Sequence, residues 1–241
     1  FAASGRATRN GKPIAGQTKD ISRARGRLIV VLALRLEDSP HSVLTLTYPG
    51  WLYGHGFVAG GCALFRNSLY VAPSDTGMPP TVWGLLALHC PSVEDVMRMT
   101  HDHGVNSAMH VTVADASGGI IGIEHGKAGT VLLKPAEGIY LHATAVVEDA
   151  ALQPTEKDHT HFHRGDSVLR RRVLRETLRE QSGRLTAPLC FASLMDHTGY
   201  PTSICRHQSE SAMTCGVVIA EPANRLLHVA RGPVCMHWPR V

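Results

Sequence analysis

No C-x-x-C pair occurs among the six cysteines of this 241-residue chain, at positions 62, 90, 190, 205, 215 and 235, which argues against a zinc or redox motif. Most adjoin apolar residues, as Cys190 does between Leu189 and Phe191, and read as small buried hydrophobes. That usage suits a reducing compartment, and a cytoplasmic location is expected. No apolar run is long enough to span a bilayer; the longest, Leu28 to Leu34, is far short of the roughly 20 residues needed. The opening thirty residues are polar and glycine-rich, with no secretory signal. Charge of one sign is scarce: a net +4 is much weaker than a nucleic-acid footprint. Neither nucleic acid nor membrane is therefore expected as a partner, and no cofactor. Aromatics are few at 5%, and there is no internal repeat, low-complexity stretch or evident boundary, so residues 1–241 read as one domain. The chain opens on Phe1 and not on Met, which reads as removal of something upstream.

What is present is a 44% hydrophobic chain with a mean hydropathy of −0.04, long enough to bury roughly three quarters of its unfolded surface without disulfides. Its 15 histidines make the charge sensitive to pH between about 5 and 8. The first half reads as strands: Phe1 to Ala7 and Lys12 to Thr18 flank the hairpin signal Asn10-Gly11, and Arg27 to Leu36 suits a strand buried on both faces. Ser42 to Tyr48 alternates, and Gly61 to Leu69 follows as a further strand. Pro79-Pro80 opens a helix to His89; Ser92 with Asp95 forms a capping box for a second, which Gly104 ends. Strands are predicted over Ala108 to Ala114, Ile120 to Glu124 and Thr130 to Leu133. Asp149 to Gly165 reads as a polar connector, with helices next over Asp166 to Gln181 and Ala187 to Met195. A closing hairpin, Thr214 to Ala220 and Leu226 to Ala230, turns through Glu221 to Asn224. Alternating groups of strands and helices indicate an α+β fold with helices packed on sheets.

The most informative segment is Asp196 to His207, where Asp-His, a Gly-Tyr-Pro turn and Ser-Ile-Cys-Arg-His follow one another. It resembles the end of the isopenicillin-N (acyl-CoA:6-aminopenicillanic acid) acyltransferase family, cysteine-dependent N-terminal-nucleophile hydrolases. Further blocks match in order. They are Thr8 to Gly11, Gly16 to Asp20, Tyr48 to Gly50, Ala63 to Leu69, Val113 to Gly118, Ile123-Glu124, Ser167 with Arg170, Thr214, and Gly232 to Cys235. The resemblance implies a four-layer αββα sandwich and a precursor that cleaves itself before a cysteine. The freed residue is then nucleophile and, through its α-amine, base. An α-amine titrates near 7.7–8.0, so it can accept a thiol proton at neutral pH without a histidine.

Position by position, the resemblance assigns Asp20 to the α-amino end of the nucleophile, Asn67 to the oxyanion and Arg206 to the ionisation of the nucleophile. His142 to Ala145 matches a block that usually reads His-Thr-Asn-His, which sets Thr144 where a second oxyanion Asn stands. Thr18 likewise replaces a common Asn. The family pattern Cys-Thr-Ser-Phe-Ala-Ala aligns Phe1 as its fourth residue, with the cysteine three positions earlier. A shorter register, like that of related bile-salt hydrolases, would put Phe1 itself at the nucleophile, where it has no chemistry. The chain is thus either short of its nucleophile or an inactive relative.

The implied activity is amide hydrolysis or acyl transfer through an acyl-enzyme. The partners it implies are a small acyl amide substrate, an acyl-CoA donor in the transferase case, and a small N-terminal chain from the same precursor. The alternative is an inactive member that binds a ligand or partner. Taken without the resemblance, Asp20 and Asn67 read as turn and strand-end residues, and Arg206 as the partner of a carboxylate such as Asp196. His159, His161 and His163 alternate, which on a strand sets three imidazoles on one face, a spacing suited to a metal. Their polar surroundings suit a solvated loop instead, and no metal ligand is assigned.

Overall fold

The computed structural model describes residues 1–35, 37, 42–51, 54–147, 152–155, 161–207 and 212–236, the side chains of 161–164 excepted. Two antiparallel sheets carry the fold. The five-stranded sheet has the order β10-β1-β2-β11-β12, where β1 is Ala2–Gly5, β2 Gly11–Ile21, β10 Ile139–Tyr140, β11 Met213–Glu221 and β12 Leu226–Arg231. The seven-stranded sheet runs β3 to β9 in chain order: Val30–Arg35, Ser42–Thr47, His55–Val58, Cys62–Asn67, Met109–Asp115, Ile120–Gly126 and Gly129–Leu133. The helices are α1 (Arg23–Gly26, one turn), α2 (Pro80–His89), α3 (Val93–His103), α4 (His161–Glu180) and α5 (Ala187–Ser193).

Strand alternation builds four layers. In β2, Ile14 joins Phe1, Val217 and Ile219 under Leu178 of α4 and Phe191 of α5. Its neighbour Ala15 points the other way and joins Val218, Phe57, Phe65 and Tyr140 between the sheets. On the far face of the seven-stranded sheet, Val111 and Ile123 pack with Trp83 of α2 and Val96 of α3. Helices, sheet, sheet, helices: the architecture is the αββα sandwich. Burial on both faces explains the apolar run from Cys215 to Ala220 in β11. Among the described residues no helix is long and apolar enough to cross a membrane.

Local chemistry places the helices. Pro80 opens α2, with no amide hydrogen to leave unpaired. Ser92 Oγ accepts from Asp95 N at 3.2 Å, and Asp115 Oδ2 accepts from Val93 N at 3.0 Å, so two side chains close the start of α3. Gly104, at φ 62°, ends that helix. The closing hairpin forms where it is expected.

Several expectations are corrected. Arg27 to Leu36 does not supply a strand buried on both faces. Among the described residues β3 is an edge strand paired only with β4, and Val30 and Val31 are 44% and 55% exposed. An apolar run does not reveal whether a second neighbour covers it. The first hairpin is not a tight two-residue turn, since β1 ends at Gly5 and pairs there with Gly11. Strand β5 has no counterpart among the expected strands; a Cβ at Gly56 would collide with the Leu44 carbonyl of the adjacent strand. Helix α4 begins at His161, inside the expected connector. His161 and His163 therefore lie on helical backbone, where residues two apart do not share a face, and His159 lies outside the described residues.

Candidate active site

At the far end of β2 lies a cleft of about 430 Å³. Asp20, Asn67, Thr144 and Arg206 all line it, brought from β2, the end of β6, the loop after β10 and the loop before β11. Strand β1 pairs with β2 only as far as the Phe1 and Gly16 amides, which exchange hydrogen bonds of 2.8 and 2.9 Å. From Gln17 to Ile21, β2 is held by β11 on one side, and its other edge faces the cleft.

On the helix side, Thr214 Oγ1 donates to Asp20 Oδ1 at 2.8 Å and accepts from Arg206 N at 2.9 Å. Thr214 N donates to Arg206 O at 3.0 Å, so Arg206 is pinned from both backbone groups. Its guanidinium pairs with Asp166 of α4, which also receives Arg170 Nε at 3.3 Å. Asp166, not Asp196, is thus the carboxylate partner of Arg206. Arg206 Nε and Gln17 Oε1 are buried and find no partner among the described residues, leaving a donor and an acceptor at the cleft wall.

On the opposite side, Asn67, His110 and Glu124 stand in register across β6, β7 and β8. Tyr140 Oη and His110 Nε2 lie 2.8 Å apart, and His110 Nδ1 lies 3.2 Å from Asn67 Oδ1. Burial holds His110 neutral, its pKa well below the usual histidine value, with the adjacent His142 ring as the next cause. The Tyr140 hydroxyl donates to Nε2, so the single ring proton sits on Nδ1 and donates to Asn67 Oδ1. The Asn67 amide NH2 is then left toward the cleft. Beneath it, His142 stacks on His110 with ring centroids 3.4 Å apart and bonds Glu124 Oε1 at 2.8 Å; Val147 N donates to the same oxygen at 2.9 Å. Gly122 makes room for this row, because a Cβ there would collide with the Tyr140 ring.

A cationic, aromatic wall completes the cleft. Arg66 stacks on Trp51 at 5.0 Å, and Lys19 lies 5.4 Å over Tyr48. Lys19 Nζ is 2.9 Å from His55 Nε2, while His55 Nδ1 accepts from Arg66 N at 3.3 Å. The pKa of Lys19 is lowered to about 8, by burial first and the Arg66 charge second, so above that pH the neutral amine can accept the His55 Nε2 proton.

Sequence reasoning missed Gln17, Lys19, His110 and Tyr140. The available signal was polarity out of place: His110 interrupts an apolar strand, and buried polar groups are the unusual ones. It also treated all cysteines alike. Cys62 and Cys190 are buried thiols whose pKa burial raises, Cys190 to about 12, whereas Cys205 and Cys235 meet His197 and His207 in one cluster.

No protein-family model matches the chain, and no curated protein does. Solved structures do. Conjugated bile acid hydrolase from Clostridium perfringens matches with a TM-score of 0.61 and 13% identity, over 96% of this chain and 89% of that one. Penicillin V acylase from Agrobacterium tumefaciens matches at 0.64 and 11%, over 96% and 82%. The Caenorhabditis elegans orthologue of N-acylethanolamine-hydrolyzing acid amidase matches at 0.62 and 10%, over 92% of each. At these identities the likeness is one of fold, shared along almost the whole chain.

Proposed function

We propose that this chain belongs to an amide hydrolase working through an acyl-enzyme on a cysteine that precedes Phe1. The carrying observation is the convergence of Asp20, Asn67, Thr144 and Arg206 on one cleft, at the edge of β2 where β1 would continue. Extending the Ala2–Ala15 and Ala3–Ile14 register past Phe1 sets the third preceding residue opposite Lys19, beside Asp20. The Phe1 side chain packs instead under α4 and α5, a core position and a poor one for a nucleophile. That supports the longer register. The similar structures, a bile acid hydrolase, a penicillin acylase and an acid amidase, favour amide bonds as the substrate class.

In this reading the α-amine of the cysteine takes the thiol proton, and Asp20 holds the resulting ammonium. The thiolate attacks the amide carbonyl carbon, and the developing oxyanion accepts from Asn67 Nδ2 and the Thr144 hydroxyl. Collapse breaks the C–N bond as the ammonium proton passes to the leaving amine. Water then attacks the thioester, giving its proton to the α-amine, and the acid departs. Arg206, held by Thr214 and Asp166, presents positive charge beside the thiolate. Hydrolysis is the default outcome; transfer to an amine, with an acyl-CoA donor, is the variant that the acyltransferase family would use. Self-cleavage before the cysteine, releasing a small N-terminal chain, would generate the α-amine.

The test is turnover of a panel of acyl amides by the full gene product, read as free acid and free amine. Replacing the cysteine three positions before Phe1 with alanine is expected to reduce release to the uncatalysed rate. Undiminished release would overturn the assignment.

A further inference from the structure

Four side chains outside the cleft converge in one cluster: His197, Cys205, His207 and Cys235, with one ligand atom from each and all four within 4.8 Å of one another. The edges are specific. Cys205 Sγ and Cys235 Sγ are 3.6 Å apart; His207 Nε2 is 3.5 Å from Cys205 Sγ, 3.3 Å from Cys235 Sγ and 3.1 Å from His197 Nε2. A zinc ion bound at about 2.3 Å to sulfur and about 2.05 Å to nitrogen demands S–S, S–N and N–N edges of about 3.8, 3.6 and 3.3 Å. These four of the six edges lie within about 0.3 Å of those values, and the two from exposed His197 to the sulfurs lie within 4.8 Å.

Hydrogen bonding alone does not account for the cluster. His207 Nε2 has three neighbours at bonding distance, yet a ring nitrogen offers one proton or one lone pair, not three directions. Nor is it a disulfide, since both cysteines are free thiols. A central cation gives Cys205, His207 and Cys235 a common partner and is within reach of the exposed His197 ring after a small side-chain movement.

We infer that His197, Cys205, His207 and Cys235 form a structural binding site for zinc or a like tetrahedral divalent ion. Two thiolates offset the double positive charge, and S2N2 ligation favours zinc among divalent metals. With four protein ligands there is no open position for water or substrate, so the ion would hold structure and not act on substrate. What it would hold is specific. Three ligands lie on the Asp196 to His207 segment, and the fourth lies in the turn after β12. Arg206 stands between ligands Cys205 and His207. The ion would thereby fix the peptide that carries Arg206 into the cleft, which makes the ligands positioning residues for Arg206.

The ligands come from positions 197 to 235 with no C-x-x-C spacing, which is why sequence motifs miss them. The segment folds toward the fourth ligand through its own bonds: Cys205 N donates to Asp196 O at 3.0 Å, and His207 N to Pro201 O at 3.1 Å. These bring Cys205, His207 and His197 to one side of a closed loop before any ion arrives.

The experiment titrates cobalt(II) into the reduced, metal-stripped full chain and records the absorption spectrum. One cobalt per chain is expected, with thiolate-to-cobalt charge transfer and the intense visible bands of tetrahedral cobalt, all erased by added zinc. C235S is expected to lose about half the charge-transfer intensity, one of two thiolates. His197→Ala is expected to keep the charge transfer and to shift and weaken the visible bands as water takes the vacated position; the His197 and Cys235 side chains are both exposed. Absence of charge transfer in the reduced wild type would overturn the inference. So would an unchanged spectrum in the C205S/C235S double variant, provided its circular dichroism matches the wild type. Binding is read without any substrate, so a negative result here leaves the amide-hydrolase reading untouched, and the reverse holds too.

Discussion

Tyr140→Phe tests whether the buried row behind Asn67 orients the oxyanion donor. The hydroxyl is the donor to His110 Nε2 at 2.8 Å, and both side chains are buried. Removing it leaves a buried acceptor without a partner, a loss of about 1–3 kcal/mol in stability. The ring proton stays on Nδ1, since no acceptor remains at Nε2, but the imidazole has lost its anchor there and can shift away from Asn67 Oδ1, now 3.2 Å distant. The Asn67 amide is then less firmly held with NH2 toward the substrate. kcat should fall, by less than the about 10²–10³ that deleting the donor costs. Asn67→Ala should show that full loss directly. Once the amide is gone its orientation has no further effect, so the double variant should be no slower than Asn67→Ala alone. The assay is kcat on an acyl amide for the four members of the cycle, with thermal melts alongside. A Tyr140→Phe enzyme of wild-type kcat would refute the reasoning, as would rate losses that simply multiply.

Gly122→Ala inserts a methyl group against the same phenol ring, so it should lower kcat in the same direction as Tyr140→Phe and also destabilise by about 1–3 kcal/mol; melts and turnover report both. Asp20→Asn keeps an acceptor for Thr214 but removes the charge beside the α-ammonium, and kcat should fall about 10²-fold with little change in melting temperature. Lys19 gives a pH signature. Below about pH 8 it is protonated in the folded and unfolded chain alike, and the buried charge counts against the fold. Between about 8 and 10.5 the unfolded chain retains a proton the folded one has released, so stability should climb with pH across that window. Urea midpoints for Lys19→Met should lack that climb. A zinc chelator should lower the melting temperature of the wild type and leave that of C205S/C235S unchanged.

Much of this architecture was legible because its signals are local. Ser92 and Asp95, Pro80 and Gly104 place α2 and α3 through caps that act within a few residues, and the Glu221 to Asn224 turn fixes the last hairpin. What was not legible depends on neighbours distant in sequence. Val30 and Val31 read as core because nothing in the run says that β3 has one partner strand. His110 and Tyr140 are thirty residues apart and acquire meaning only when β7 and β10 are brought together through two different sheets. The cleft residues Asp20, Asn67, Thr144 and Arg206 came from the ordered resemblance, which carries position without geometry. It gave no indication that Asp166 would be the partner of Arg206. Cys205 and Cys235 were passed over for the same reason: a tetrahedral site needs closeness in space, and motif spacing records closeness in sequence.

The central claim is an acyl-enzyme on a cysteine at the open edge of β2. Its most direct measurement is intact-mass and peptide mass spectrometry of the mature full-length product, quenched in acid during turnover of a slow acyl amide. The account predicts an acyl adduct mapped to a cysteine three residues before Phe1, with that cysteine as the first residue of the mature chain. Turnover with no adduct at any point, or a mature chain with no cysteine, serine or threonine ahead of Phe1, would contradict it.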